Sequence, residues 1–206
     1  NVAEAMVRAK ERKVKVRMVT DTDTLTNTKD EAVQGAFAKL KRARVPIVDD
    51  GRQAIMHHKF TVIDSAWVST GSWNYTDGDT YRLNNNMIII RSEELAANYT
   101  AEFEKMSVKR EFGPGKPKGI PFPSLTIDGS RVENYFAPKD KVADQIVSTI
   151  RRAQKSIYFL AFSFTHDGIG QEIMAKAKAG LAVSGVFETT GSNTPFSEYG
   201  KMKQEG

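Results

Sequence analysis

The chain has 206 residues, of which 40% are hydrophobic and 27% charged, and it carries no cysteine. This excludes collagen-like, coiled-coil and disordered classes, and with them disulfide scaffolds, cysteine zinc sites and thiol nucleophiles. The net charge of +5 favours an anionic partner without choosing between nucleic acid, anionic lipid and a merely solvated surface. In chain order, Val2, Ala5, Met6 and Ala9 fall at helical spacing over 1–12, and residues 14–19 alternate like a strand. Thr20 to Thr28 has no period and reads as a loop, 29–43 as a helix with Ala32, Val33, Phe37 and Leu40 on one face, and Val45 to Val48 as a short strand before the Asp49-Asp50-Gly51 turn. Residues 58–64 and 66–70 read as two tightly joined strands, 87–91 as a buried strand, and Ser92 as the cap of a helix running to about Met106.

Four of the seven prolines then lie between 114 and 123, in a stretch that reads as an extended, exposed linker. Beyond it come a strand near 132–136, a helix near 140–154, a strand at 156–163, a helix at 168–179 and a strand at 182–187. Alternating strands and helices predict an α/β layered sheet. No apolar run approaches the roughly 20 residues that span a bilayer, and the chain opens on Asn1-Val2-Ala3-Glu4 with no signal-peptide pattern.

An internal repeat runs through the sequence. Glu4, Met6, Ala9 and Lys10 recur as Glu172, Met174, Ala177 and Lys178. After a one-residue gap Val16 and Val19 recur as Val183 and Val186, with Asp21 matched by Glu188. Lys39-Leu40-Lys41 is echoed by Lys201-Met202-Lys203.

The chemistry concentrates in Met56-His57-His58-Lys59-Phe60-Thr61-Val62-Ile63-Asp64, followed six residues later by Gly71-Ser72-Trp73-Asn74. Side chains two apart on a strand share a face, so His57 and Lys59 are expected together, with His58 turned to the other side. Lys59, Ser72 and Asn74 supply donors for an oxyanion. His57 is then the nearby group able to act as a nucleophile or proton carrier near neutral pH. A lone His-x-Lys is common and equally fits a satisfied histidine beside a solvated lysine; the whole composite is far more specific. Asp21 with Asp23 and Asp77 with Asp79 are close pairs that read as loop carboxylates. His166, after the 156–163 strand, is a candidate at a strand's carboxyl end. The sequons at Asn74 and Asn98 read as accidental.

This composite resembles the His-Lys-Asp signature of the phospholipase D superfamily. The resemblance implies an α/β fold with a mixed sheet flanked by helices, normally two modules each giving one motif to a shared site. It implies that one histidine attacks phosphorus to form a phosphohistidine, while the partner's protonates the leaving group and then activates water. Lys59 and Asn74 would hold the phosphoryl oxygens, Ser72 would assist, and Asp64 would stabilise a turn. No metal and no cofactor are implied. Asn85 falls where the family often places a Glu that orients the catalytic histidine.

On this resemblance residues 1–107 form the motif-bearing module without its first core strand, 108–130 a Pro/Gly-rich linker, and 131–206 the opening part of a second module. One motif stands where the family mechanism uses two, so a second module of a longer protein, or a homodimer partner, is expected to supply the other. The function implied is hydrolysis of a phosphodiester, phospholipid or nucleic acid. The alternative is an inactive fragment or a phosphate- or nucleic-acid-binding module. Lys39, Lys41, Arg42 and Arg44 are candidates for a basic groove, Trp73 and Tyr75 for an apolar rim.

Overall fold

The computed structural model describes residues 2–205, so Asn1 and Gly206, the ends of the two expected modules, lie outside the described residues. The chain divides into two compact units, Asn1–Asp140 and Lys141–Gly206.

The first unit opens with α1 (Val2–Glu11), which Lys13 ends by taking a positive φ of 67°. β1 (Met18–Thr20) pairs in parallel with β2 (Ile47–Asp49), Met18 opposite Ile47. The alternation over 14–19 predicts a longer strand, but a ladder extends only as far as its partner, and β2 begins only at Ile47, after Arg44 in a positive φ of 56° and Pro46, which has no N–H to pair. The expected loop 20–28 contains a short helix, α2 (Thr22–Thr26), because the Asp21 carboxylate accepts from Thr24 N–H and caps it. α3 (Glu31–Arg42) is capped in the same way by Asp30 and packs with α1 over Ala3, Leu40 and Val45.

Three antiparallel strands follow, β3 (Phe60–Ile63), β4 (Trp67–Gly71) and β5 (Met87–Arg91), in that order across the sheet. A five-residue helix, α4 (Asp77–Tyr81), interrupts the connection between β4 and β5. Val68 on the central strand is fully buried against Leu95 and Ala96 of α5 (Glu93–Ser107), whose cap is Ser92 as expected. The buried strand expected at 87–91 is instead an edge strand: Met87, Ile88 and Ile89 are all exposed, and among the described residues β4 alone pairs with it.

The stretch read as an exposed linker folds back onto α5. Asn98, Glu102 and Lys105, at i, i+4 and i+7, share one helix face. Asn98 exchanges two hydrogen bonds with the backbone of Phe122 (2.6 and 2.7 Å), Lys105 donates to Gly119 O (2.7 Å), and Lys116 is buried against Glu102. A hairpin, β6 (Ser124–Ile127) with β7 (Ser130–Glu133), then places Leu125 and Ile127 on the Val68 core. Asn98 is fully buried, which removes it as a glycan acceptor.

The second unit is built from α6 (Val142–Arg152), β8 (Ser156–Ala161), α7 (Asp167–Lys178), β9 (Ala182–Phe187), α8 (Thr189–Ser192) and α9 (Glu198–Glu205). β8 and β9 run parallel, Ser156 opposite Ala182. Phe159, Phe164 and Phe187 interlock on one face, Tyr199 completing the group. Tyr158, Leu160 and Val186 stand exposed on the other.

The sequence repeat has a structural counterpart. α1–β1–α2–α3 and α7–β9–α8–α9 follow the same succession, and Asp21 and Glu188 each cap the short helix after the strand. The carboxylate of Glu188 accepts from Gly191 N–H, as that of Asp21 does from Thr24 N–H.

Candidate active site

The motif residues lie at the entrance to β3. His58 turns inward, its ring against Phe60 and Phe136, and its Nε2 is 3.0 Å from Oε1 of the fully buried Glu102. His57 is exposed, and Lys59 Nζ donates to the His57 carbonyl at 3.0 Å. Partial desolvation of the ring, then the fields of Lys59 and His58, lower the His57 imidazole below its ordinary pKa, with Asp21 pulling the other way. Burial also lowers the Lys59 ammonium, against the opposing field of Asp79. The shift favours the neutral form of His57, which has the free lone pair.

Gly71 ends β4 and brings the next residues back alongside Asn86. Any Cβ at Gly71 would run into the Asn86 carbonyl, so the close approach demands glycine. Ser72 donates to Asn85 Oδ1 (2.9 Å) and accepts from Asn86 N–H (3.0 Å). Asn74 turns to Asp79, whose Oδ2 accepts from both its N–H (2.9 Å) and its Nδ2 (2.7 Å). Asn85 Nδ2 reaches the same Oδ2 at 3.2 Å. The structure thus joins Ser72, Asn85, Asp79 and Asn74 in one hydrogen-bonded set whose carboxylate acts on Lys59. Beside it Trp73 meets Tyr75 edge-on, centroids 4.8 Å apart, while Tyr81 and Leu83 are exposed.

Asp64 lies at the far end of β3. It and Ser65 take positive φ (53° and 54°) in the turn closed by Ala66 N–H to Ile63 O (3.1 Å). That geometry is the primed hairpin turn for which aspartate is well suited.

The family model described as "Cardiolipin synthase, PLD-like domain" matches residues 1–107. The chain belongs to the phospholipase D superfamily. It is 32% identical over 106 residues to a mitochondrial cardiolipin hydrolase of Xenopus tropicalis, covering 52% of this chain and 48% of that protein. It is 34% identical over 98 residues to a phospholipase D of Rickettsia conorii, covering 48% and 46%. The chain therefore spans about half the length of these curated relatives. The crystal structure of a phosphatidylserine synthase from Haemophilus influenzae superposes with a TM-score of 0.58 at 12% identity, covering 90% of this chain and 59% of that one. The α/β phospholipase D-like fold read from the sequence is the fold observed.

In this superfamily member His166 does local work: its Nδ1 accepts from Ile169 N–H at 3.3 Å and caps α7. Lys39, Lys41 and Arg42 fill the last turn of α3, where cations meet the negative end of the helix dipole, and Lys39 pairs with Glu4 at 2.6 Å. Two carboxylates were missed by sequence reasoning. Asp79, read as a loop carboxylate, is the centre of the Asn74 and Asn85 interactions, and Asp21 exerts its field on His57 while its Oδ2 accepts from Met56 N–H (3.1 Å). The signal for Asp79 was present in Thr76-x-x-Asp79, a helix-capping spacing: Thr76 Oγ1 accepts from Asp79 N–H and donates to Asp79 Oδ1, both at 3.1 Å. Among the described residues, no group of three or more His, Asp and Glu side chains could hold a metal ion, and no helix is long and apolar enough to cross a membrane.

Proposed function

We propose that this chain carries one catalytic half of a metal-independent phospholipase D-type phosphodiesterase. The observation that carries the reading is the lead-in to β3 in a superfamily member. There an exposed histidine stands beside Lys59, while the middle residue, His58, is turned into the core against Glu102. In the first step a ring nitrogen of His57 attacks phosphorus and the bond to the leaving alkoxide breaks; a second histidine donates its proton to that oxygen. In the second step the same group takes a proton from water, whose oxygen attacks phosphorus and releases His57. Lys59 and Asn74 hold the non-bridging oxygens as charge develops, with Ser72 and Asn85 in support. The second motif comes from a second module of a longer protein or from a homodimer partner.

Phospholipid is favoured over nucleic acid as the substrate. The relatives named above are a cardiolipin hydrolase and a phospholipase D, and Trp73, Tyr75, Tyr81 and Leu83 put apolar surface beside the asparagine set, suited to acyl chains. The basic side chains of α3 have a sufficient local explanation as a helix end. The test compares hydrolysis of cardiolipin vesicles, phosphatidylcholine vesicles, single-stranded DNA and a chromogenic phosphodiester, with and without EDTA, beside His57→Ala. Lipid hydrolysis that survives EDTA and disappears in His57→Ala is the expected result. EDTA sensitivity, or an active His57→Ala protein, overturns the mechanism. Phosphate binding without turnover in an assembled dimer supports the alternative of a binding module.

A further inference from the structure

The residues that hold the asparagine set together centre on a carboxylate that the proposed reaction does not use. One oxygen of Asp79, Oδ2, accepts three hydrogen bonds: from Asn74 N–H (2.9 Å), Asn74 Nδ2 (2.7 Å) and Asn85 Nδ2 (3.2 Å). The other, Oδ1, accepts from Thr76 Oγ1 at 3.1 Å. Asn85 passes the connection on, since its Oδ1 accepts from Ser72 Oγ at 2.9 Å. Helix capping alone does not require the Asn74 and Asn85 contacts, because Thr76 already caps α4 by accepting from Asp79 N–H.

We propose that Asp79 is the positioning residue of this site: its carboxylate fixes Asn74 and Asn85, and through Asn85 Ser72. The assignment rests on the proposed phosphodiesterase reading for its purpose, but not for its geometry. Asn85 transmits orientation from the Asp79 carboxylate to the Ser72 hydroxyl, each of its two ends meeting the matching partner. A substrate phosphate entering between Lys59 and Asn74 would meet an asparagine whose second amide hydrogen is left free to donate, its first being held by Asp79.

The geometry also supplies its own test, because the amide and the carboxylate can change places across the 3.2 Å hydrogen bond. Four proteins are compared: wild type, Asp79→Asn, the double variant Asp79→Asn with Asn85→Glu, and Asp77→Asn as a control for an adjacent exposed carboxylate. The first readout is the solvent exchange of the Asn74 side-chain amide protons, followed by NMR, which needs no turnover. Asp79→Asn should speed that exchange, the double variant should slow it again, and Asp77→Asn should leave it unchanged. The second readout is hydrolysis of a chromogenic phosphodiester by the assembled enzyme. Losing hydrogen bonds to a charged group should lower kcat about ten- to hundredfold in Asp79→Asn. KM should stay level or fall, since the site becomes more positive, and the double variant should recover most of kcat. Backbone amide shifts of α4 report whether the helix persists in each variant. Unchanged Asn74 amide exchange in a folded Asp79→Asn protein, or a double variant that restores nothing, overturns the proposal. Asn74 exchange that responds as expected in a chain without hydrolytic activity retains Asp79 as the positioning residue and rejects the enzymatic reading instead.

Discussion

Lys116→Met gives the sharpest test of how the first unit is held together. The Lys116 ammonium and the Glu102 carboxylate form an ion pair in which both side chains are almost wholly inaccessible to water. His58 Nε2 (3.0 Å) and Lys105 Nζ (3.6 Å) complete the surroundings of that carboxylate. Removing one partner of a buried pair costs about 3–5 kcal/mol, because the survivor is left desolvated. Lys105 and the His58 ring still offer compensation, which puts the expected cost at ~3 kcal/mol, a large share of the roughly 5–15 kcal/mol typical of a domain. Adding Glu102→Gln removes the stranded charge while keeping an acceptor for His58, so the double variant should recover at least ~1.5 kcal/mol, within the range of couplings between touching residues. Urea unfolding followed by tryptophan fluorescence isolates the effect, since Trp67 and Trp73 both lie in the first unit. The pH dependence carries a sign. Burial pushes the Glu102 carboxyl upward, but hydrogen bonds and charge from His58 and Lys116 together hold it below its ordinary value. A depressed folded pKa stabilises above the unfolded pKa, and that contribution is lost as pH falls through the folded one. The penalty of Lys116→Met should therefore shrink in acid, where Glu102 is protonated in the variant. A single variant costing less than ~1 kcal/mol at neutral pH, or a double variant as unstable as the single, would refute the reasoning.

His57→Ala should abolish phosphodiester hydrolysis, and Lys59→Ala should cost about two to three orders of magnitude in kcat through lost charge stabilisation; steady-state assays of the assembled enzyme check both. Because burial and neighbouring cations depress His57, its neutral form persists to more acid pH, so the acid limb of kcat/KM should lie below the ordinary imidazole value. A limb above that value contradicts the assignment. Gly71→Ala should force β4 away from Asn86, part Ser72 from Asn85 and lower both stability and phosphate affinity, measurable by calorimetry with inorganic phosphate.

Much of the molecule is local enough to be read from one dimension. The helix over 93–107 and its Ser92 cap, the paired strands around Asp64, and the repeat joining the first helix and strand to residues 172–186 all follow from side-chain period and capping chemistry, which operate between residues a few positions apart. The separation of His58 from His57 and Lys59 follows from the same two-residue alternation. What the tertiary structure decided depends on partners distant in sequence. Met87-Ile88-Ile89 has the composition of a core strand, yet it stands at a sheet edge, because burial depends on which strands pair and not on apolarity. The proline-rich stretch has the composition of a linker, yet Lys116 is drawn 14 residues back to Glu102, since a buried carboxylate must find a cation wherever the chain can bring one. Thr76-x-x-Asp79 marks Asp79 as a helix-start residue, but the spacing does not name its partners: Asn74 and Asn85 reach the same carboxylate oxygen only because the connection between β4 and β5 folds back on itself.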